Sequence, residues 1–162
     1  MQSAVTQNTA AHAFPAILLA GLACGALDIT AAFVVYGNMF HVGPVRILHN
    51  VASGLLGRNA YSGGLATAAV GLLCHFIIAL GAATVFFFLS RAFPFLLTQA
   101  VLWGALYGVA VYFFMNRVVV PLSNVAKTPF SFKMMIIGVI IHIFCVGLPI
   151  ALVTRRLAIG NR

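Results

Sequence analysis

The stretch at residues 63–89, GGLATAAVGLLCHFIIALGAATVFFFL, contains no Asp, Glu, Lys or Arg. At a rise of ~1.5 Å per residue, a helix of this length is long enough to cross a bilayer core of ~30 Å. Such a helix has no charged side to face water, so it must be surrounded by lipid or by other protein segments. This restricts the chain to folds that bury the whole helix. The stretch therefore predicts a membrane-spanning helix.

Three further apolar stretches have the same character, and composition supports the same conclusion. Only 6% of the residues are charged and 63% are hydrophobic, whereas soluble domains carry roughly 25% charged residues. The sequence predicts an all-α integral membrane protein, a single four-helix transmembrane domain over residues 14–156. The predicted spans are 14–36, 64–89, 96–120 and 132–153, and flexible tails are expected at 1–13 and 157–162.

Between the first two spans, residues 44–57 show the spacing of a short amphipathic helix that begins at Pro44. The polar side carries Arg46, His49, Asn50 and Ser53, and the opposite side is aliphatic. The segment is too short to span a bilayer, so we expect it to lie in the membrane interface. Its polar face is interpreted either as a cap over the bundle or as a gate for a substrate.

The charges are almost all positive, with nine Lys and Arg against one acid. They lie singly at the ends of the apolar stretches, where they are expected to contact the bilayer, including anionic lipids. No basic run is interleaved with aromatic residues, which argues against nucleic-acid binding. Four spans place both termini on one side. The short loop at Arg91 and the pair Arg155 and Arg156 favour the cytoplasm for that side.

Three titratable groups are predicted to share one layer in the middle of the bundle. Asp28 is the only acid of the chain and lies past the centre of the first span. The second and fourth spans begin at the same membrane face. Helical rise places His75 and His142 each ~15 Å from that face and Asp28 ~12 Å from it. Polar side chains at such depth are expensive unless they are paired or line a cavity, so the layer is a candidate functional site.

Several interpretations of the layer remain open. Asp28 is either a neutral acid that is hydrogen-bonded to Thr30 or a neighbouring helix, or a proton or cation site that is paired with a histidine. The histidines either set helix register through interhelical hydrogen bonds or ligate a b-type haem as a pair. We expect no cofactor. A metal site that includes Cys24, Cys74 or Cys145 has less support still, because membrane-buried cysteines usually act as small apolar residues.

Two features suggest an internal repeat. Gly25 to Asp28 (GALD) matches residues 104–107 (GALY), and the glycine four residues before His75, Gly71, is matched by Gly138 before His142. A parallel duplication of a hairpin is one interpretation, and chance matching of small residues is the other. Gly71 and Gly138 would let a helix or a flat ligand approach the helix face.

The favoured function is therefore a non-enzymatic accessory or packing component of a membrane. A proton-coupled carrier or channel that uses Asp28, His75 and His142 is the first alternative, and a haem-binding electron-transfer subunit is the second. No nucleophile–base pair, phosphate-binding loop or paired carboxylates support hydrolysis or group transfer. Short helices with much lipid-facing surface predict self-association or a partner in a membrane complex.

Four segments together resemble a known group of proteins: ILHNVASGLLG, GGLATAAVGLLCHFIIAL, YGVAVYFFMNRVVVPLS and VGLPIALVTRR. The chain resembles small bacterial four-helix inner-membrane proteins that are described as uncharacterised transmembrane proteins. The resemblance covers roughly residues 20–156. It implies a location in the bacterial cytoplasmic membrane, and it implies no activity and no functional residues.

Overall fold

The computed structural model describes residues 2–159, with side chains for residues 13–157. This part of the chain is helical and contains no strand. Short turns of other helical types connect the α-helices: a 3₁₀ turn at Gly57–Tyr61 and π turns at Met115–Val119 and His142–Gly147. The α-helices are α1 (Gln2–Phe40), α2 (Pro44–Leu56), α3 (Gly64–Ala92), α4 (Phe95–Thr98), α5 (Ala100–Phe114), α6 (Val120–Leu122), α7 (Phe132–Ile141) and α8 (Leu148–Ile159).

Four helical segments are long and apolar enough to cross a membrane: Ala13–Phe40, Gly64–Ala92, Ala100–Leu122 and Phe132–Leu157. We call them the first to fourth spans. They match the four predicted stretches, and the largest boundary differences are four residues, such as 96 against Ala100. The third span begins late because Gln99 leaves helical geometry, with φ −113° and ψ 49°, and so separates α4 from α5.

The two ends of the chain extend the outer helices. Helix α1 begins at Gln2 and α8 ends at Ile159, whereas the sequence predicts flexible tails at 1–13 and 157–162. The first residue, the last three residues and the side chains of 2–12 and 158–159 lie outside the described part. The flexibility of both tails stays a prediction.

Each half of the bundle is a hairpin of two helices that are in close contact at glycine residues. Gly21 and Gly25 on the first span lie against Leu80 and Phe76 of the second span, with no room for a methyl group. On the third span, Gly104 and Gly108 lie against the fourth span in the same way. Both pairs have the four-residue spacing that lets two helix backbones approach closely.

The two hairpins pack together mainly through the first and fourth spans. Their shared core consists of small and aliphatic residues together with Phe86, and Cys24 and Ile150 are fully buried there. Tyr107 of the third span also reaches across to the second, where its hydroxyl donates to the carbonyl of Ala82 at 2.7 Å. Its ring meets Phe86, with the centroids 5.0 Å apart.

Proline explains the position of both π turns. Pro121 and Pro149 follow the turns at Met115–Val119 and His142–Gly147 by two residues. A proline has no N–H to donate, and its ring crowds the carbonyl one turn earlier, so the preceding turn widens. Accordingly, the amide of Leu148 bonds the carbonyl of Ile143, five residues back. The sequence predicts a kink or a freed acceptor at Pro149, and the wide turn is the form that this local disturbance takes.

Candidate functional site

His75 connects the first two spans. Its Nε2 atom lies 2.9 Å from the carbonyl oxygen of Gly25, fifty positions away in the sequence. Because a carbonyl only accepts, the tautomer with hydrogen on Nε2 donates this bond. The ring edge also meets Phe76, with the centroids 5.5 Å apart. This bond fixes the height of the second span against the first.

His142 makes a different kind of interaction. Its Nδ1 atom donates to the carbonyl of Gly138, at 2.9 Å and one turn back in its own span. Its contact with the third span is aromatic, because the ring meets Tyr112 edge-on at 5.3 Å between centroids. Within residues 13–157, its Nε2 atom has no hydrogen-bond partner. His142 therefore packs two spans together without setting their register by a hydrogen bond.

Asp28 is half-buried, and its carboxylate makes no hydrogen bond or ion pair with the side chains and backbone that the structure describes. Thr30 is not its partner, because the Thr30 hydroxyl donates to the carbonyl of Ala26 at 2.7 Å. Three weakly polar side chains lie within electrostatic reach of the carboxylate: Cys24, one turn earlier, Tyr36 on the same span and Cys145 on the fourth span. Asp28 is thus a lone acid beside weak partners.

The three groups lie in one part of the bundle without being joined. His75 meets Gly25, which is about one turn from Asp28, and the π turn that begins at His142 packs against the first span. In the described chain, no hydrogen bond or ion pair links Asp28 to either histidine. Each member of the predicted layer contacts different neighbours, and their common depth in a membrane stays a prediction.

A haem held by both histidines would compete with the bond of His75, whereas Nε2 of His142 has no partner within residues 13–157. A haem iron needs a ring nitrogen with a free lone pair, and Gly25 already engages Nε2 of His75. Ligation by His75 would use Nδ1 or require that bond to break, so haem remains the less favoured alternative and the absence of a cofactor stays a prediction. Among the described residues, no three His, Cys, Asp or Glu side chains come together as a metal site requires.

Gly71 and Gly138 each make room for part of the protein. A methyl group at Gly71 would overlap the carbonyl of Leu48 in α2, and one at Gly138 would overlap the Tyr112 ring. A helix and an aromatic side chain therefore occupy the two faces where a flat ligand was the alternative. The two glycines have the same position relative to a histidine, but they accommodate different elements.

The amphipathic helix is present as Pro44–Leu56, but its polar face is divided. Arg46 and Asn50 are exposed, whereas His49 and Ser53 on the same predicted polar face are buried, at 7% and 2% exposure. Burial is tolerated because His49 bonds the carbonyl of Gly64 at 2.8 Å and Ser53 donates to the carbonyl of Asn50 at 2.7 Å. The polar face of α2 therefore partly faces the protein.

The exposed half of that face contacts the turn after α2. The guanidinium of Arg46 lies over the Tyr61 ring, 5.0 Å from its centroid, and the Tyr61 hydroxyl donates to the Asn50 side chain at 3.1 Å. Arg46, His49 and Asn50 thus hold α2 in place, whereas the hydroxyl of Ser53 is satisfied within α2 itself. These contacts favour the cap over the gate.

Asn124, which the sequence analysis does not single out, completes this arrangement. Its backbone N–H donates to Gly54 at 3.0 Å and its side chain donates to Leu55 at 3.3 Å. Helix ends leave carbonyls without partners, and the loop after the third span supplies them here. The pairing joins residues about 70 positions apart, so no local signal in the sequence could have revealed it.

The two hairpins are not superimposable repeats in their packing. In the proposed repeat, His75 corresponds to His142, an offset of 67 residues. Gly25 lies against Phe76 and Ala79, and the same offset carries these two positions to 143 and 146. Gly104 instead lies against Gly147 and Ala151, about one turn further along. The glycine pairs Gly21/Gly25 and Gly104/Gly108 show the same shift. Their four-residue spacing is a sequence signal that could have revealed this contact.

Comparison with known proteins adds no identity. No protein-family model, no curated protein and no solved structure matches the chain. The resemblance to bacterial inner-membrane proteins therefore stays an expectation.

Proposed function

We propose that this chain crosses a membrane four times and works as a non-enzymatic accessory or packing component. The observation that carries the proposal is the 2.9 Å bond from His75 to the Gly25 carbonyl. The one histidine of the second span, His75, is used to hold two helices in register. A group committed in this way is poorly placed for chemistry.

The strength of such a bond is modest. Hydrogen bonds between membrane helices contribute on average ~0.6 kcal/mol and at most ~1.7 kcal/mol in measured cases. The bond therefore acts together with the glycine contacts of the hairpin. Its main effect is on specificity, because any other height of the second span leaves a polar ring without a partner in an apolar surrounding.

The test compares His75→Phe with His142→Phe in purified protein reconstituted into nanodiscs. We expect His75→Phe to lower the unfolding temperature more than His142→Phe, since only His75 bonds another span. Proton flux and visible absorption should be the same in both variants and the wild type. Equal unfolding temperatures combined with a change in flux or absorption would contradict the packing role.

A second candidate function is a proton or monovalent-cation site at Asp28. It is favoured by one observation: the only acid of the chain is half-buried in the first span without a hydrogen-bond partner in the described residues. An ionisable group at membrane depth marks a transport path more often than it marks packing. The π turn and Pro149 on the facing span support this candidate, since both disturb the pairing of nearby carbonyls.

This candidate is tested in proteoliposomes that contain a pH-sensitive dye. If it holds, the wild type dissipates an imposed pH or sodium gradient, Asp28→Asn abolishes the flux, and Thr30→Ala, two residues further along the span, leaves it unchanged. Wild-type vesicles as tight as empty ones would eliminate the transport role. Equal loss in both variants would point to a damaged bundle.

The location is part of the same proposal. The packing of Ala20 with Ile150 and Ala151 puts the start of the first span and the end of the fourth at the same end of the bundle. We assign this end to the cytoplasm of a bacterium and the membrane to the inner membrane. Fluorescent-protein and alkaline-phosphatase fusions after residue 159 and within the loop at Lys127 test the assignment, and phosphatase activity at the C-terminal fusion would reverse it.

Association with a second copy or with another membrane protein completes the proposal. Within the most apolar 18-residue stretch of each span, 6% of the residues are buried in the third span and 28% in the first. The third span therefore has the smallest buried share of the four spans, which leaves it open to lipid or to a partner. Crosslinking in native membranes followed by mass spectrometry identifies whether the third span contacts a second copy or another membrane protein. A chain that remains monomeric there would exclude a protein partner and leave lipid as the only contact.

A further inference from the structure

An open groove of about 640 Å³ lies between the start of the third span and the end of the fourth. One end of the groove is polar and the other is apolar. The polar lining residues are Thr98, Gln99 and Arg155, and the apolar ones are Ala100, Val101, Leu102 and Ala105.

The polarity of the groove follows the depth in the membrane. The third span begins at Ala100, so Gln99 and Thr98 lie at the edge of the proposed membrane, and Ala105 lies ~9 Å deeper at the helical rise. A phospholipid has the same distribution, with its phosphate at the interface and its acyl chains directed inward. The shape and polarity of the groove therefore match a lipid better than a soluble ligand.

The charge of Arg155 has no counter-charge in the described chain. The only acidic side chain of the protein is Asp28, which lies well inside the first span. Arg155 is half-buried, and it makes no ion pair or hydrogen bond with the residues at 13–157. A guanidinium in that position favours a phosphate, which it can bind through two parallel hydrogen bonds.

The backbone beside Arg155 has the same preference. Gln99 precedes α5 without a side-chain hydrogen bond to the first amides of that helix. A helix start of this kind would not define a site alone, and here it only adds to the arginine and to the amphipathic groove.

We propose that the groove binds one anionic phospholipid, with its phosphate on Arg155 and an acyl chain along Val101, Leu102 and Ala105. The proposal rests on the membrane location and is independent of the role of Asp28 and His75. The sequence predicts contact with anionic lipids in general, and the proposal assigns one such contact to a defined position.

The test uses native mass spectrometry of delipidated protein in detergent, titrated with phosphatidylglycerol. We expect Arg155→Gln to weaken binding of the first lipid about fivefold, the effect of one basic residue near a phosphate. The matched control is Arg156→Gln, which removes the same charge from an exposed neighbour outside the groove. Equal weakening in both variants would show diffuse attraction to basic residues and overturn the site.

A second pair of variants tests the acyl-chain position without changing charge. Ala105→Leu narrows the groove and should reduce binding, whereas Ala110→Leu, on an exposed part of the same span, should not. This pair still decides the question if Arg155→Gln fails to fold, as monitored by circular dichroism. Equal binding of phosphatidylcholine, or full competition by inorganic phosphate, would overturn an anionic phospholipid as the occupant.

Discussion

The Nε2 atom of His75 lies 2.9 Å from the carbonyl oxygen of Gly25, and the lack of a side chain at Gly25 makes this hydrogen bond possible. Gly25 has no side chain, so Phe76 and Ala79 can approach the first span closely. The ring of His75 then reaches a backbone atom of its neighbour. A titratable side chain in an apolar span is in this way satisfied without a charge partner.

Gly25→Ala should weaken this contact. A methyl group there would overlap the Phe76 ring, which itself packs against His75. We expect the free energy of unfolding to fall by about 1–3 kcal/mol, the usual range for overpacking. Gly81→Ala is the control, since a methyl group at Gly81 meets nothing within 4 Å. Equal stability of the two variants by steric-trap or denaturant unfolding would contradict the close hairpin.

Gly147→Ala should disrupt the second hairpin more severely. The added methyl group would overlap backbone atoms of Gly104 and Gly108, and backbone cannot swing aside as a side chain can. The expected loss is at the upper end of about 1–3 kcal/mol. Thermal unfolding in nanodiscs measures it, again against Gly81→Ala. A loss no larger than that of the control would mean that the third and fourth spans are further apart.

Gly71→Ala should release α2 while leaving the four spans assembled. The methyl group would overlap the Leu48 carbonyl, so α2 must move away from the second span. Trypsin should then cut after Arg58, in the turn that follows α2, several-fold faster than in the wild type. Unchanged cleavage would indicate that the contacts of His49 and Asn124 hold α2 without the close approach at Gly71.

Thr154→Val should stabilise the protein. The Thr154 hydroxyl is buried at 1% exposure and has no hydrogen-bond partner in the described residues. An unsatisfied buried polar group costs about 1–3 kcal/mol, and valine has nearly the same shape. The control is Thr84→Val, whose hydroxyl bonds the carbonyl of Leu80 at 2.8 Å. A destabilised Thr154→Val would reveal a bound water or a partner for that hydroxyl.

The visible spectrum of the purified protein tests haem directly. We expect no Soret band and no α or β bands after reduction with dithionite, because His75 is engaged by Gly25. Haem bands that disappear in His75→Ala and in His142→Ala would make the protein a cytochrome. That outcome would overturn the packing role and show that the His75 bond yields to iron.

Much of the architecture follows from residue patterns that are local. The uncharged run around His75 predicts its span with little error, since a helix in lipid satisfies its own backbone and needs only length and apolar side chains. The same holds for α2, whose predicted bounds of 44–57 differ by one residue from Pro44–Leu56. Helical rise also predicts that Asp28, His75 and His142 lie at similar depth, because rise depends on sequence number alone.

Tertiary structure decided which partner each of these residues meets. Depth does not determine rotation, and in a chain that is apolar all round its helices no polar stripe reveals which face is inward. For that reason the sequence could not tell that His75 bonds a neighbouring span while His142 bonds its own. The burial of His49 and the pairing of Asn124 with the end of α2 also depend on segments that are distant in the chain. The sequence by itself determined four apolar helices, because length and apolar side chains are local properties, and only packing decided what their polar residues touch.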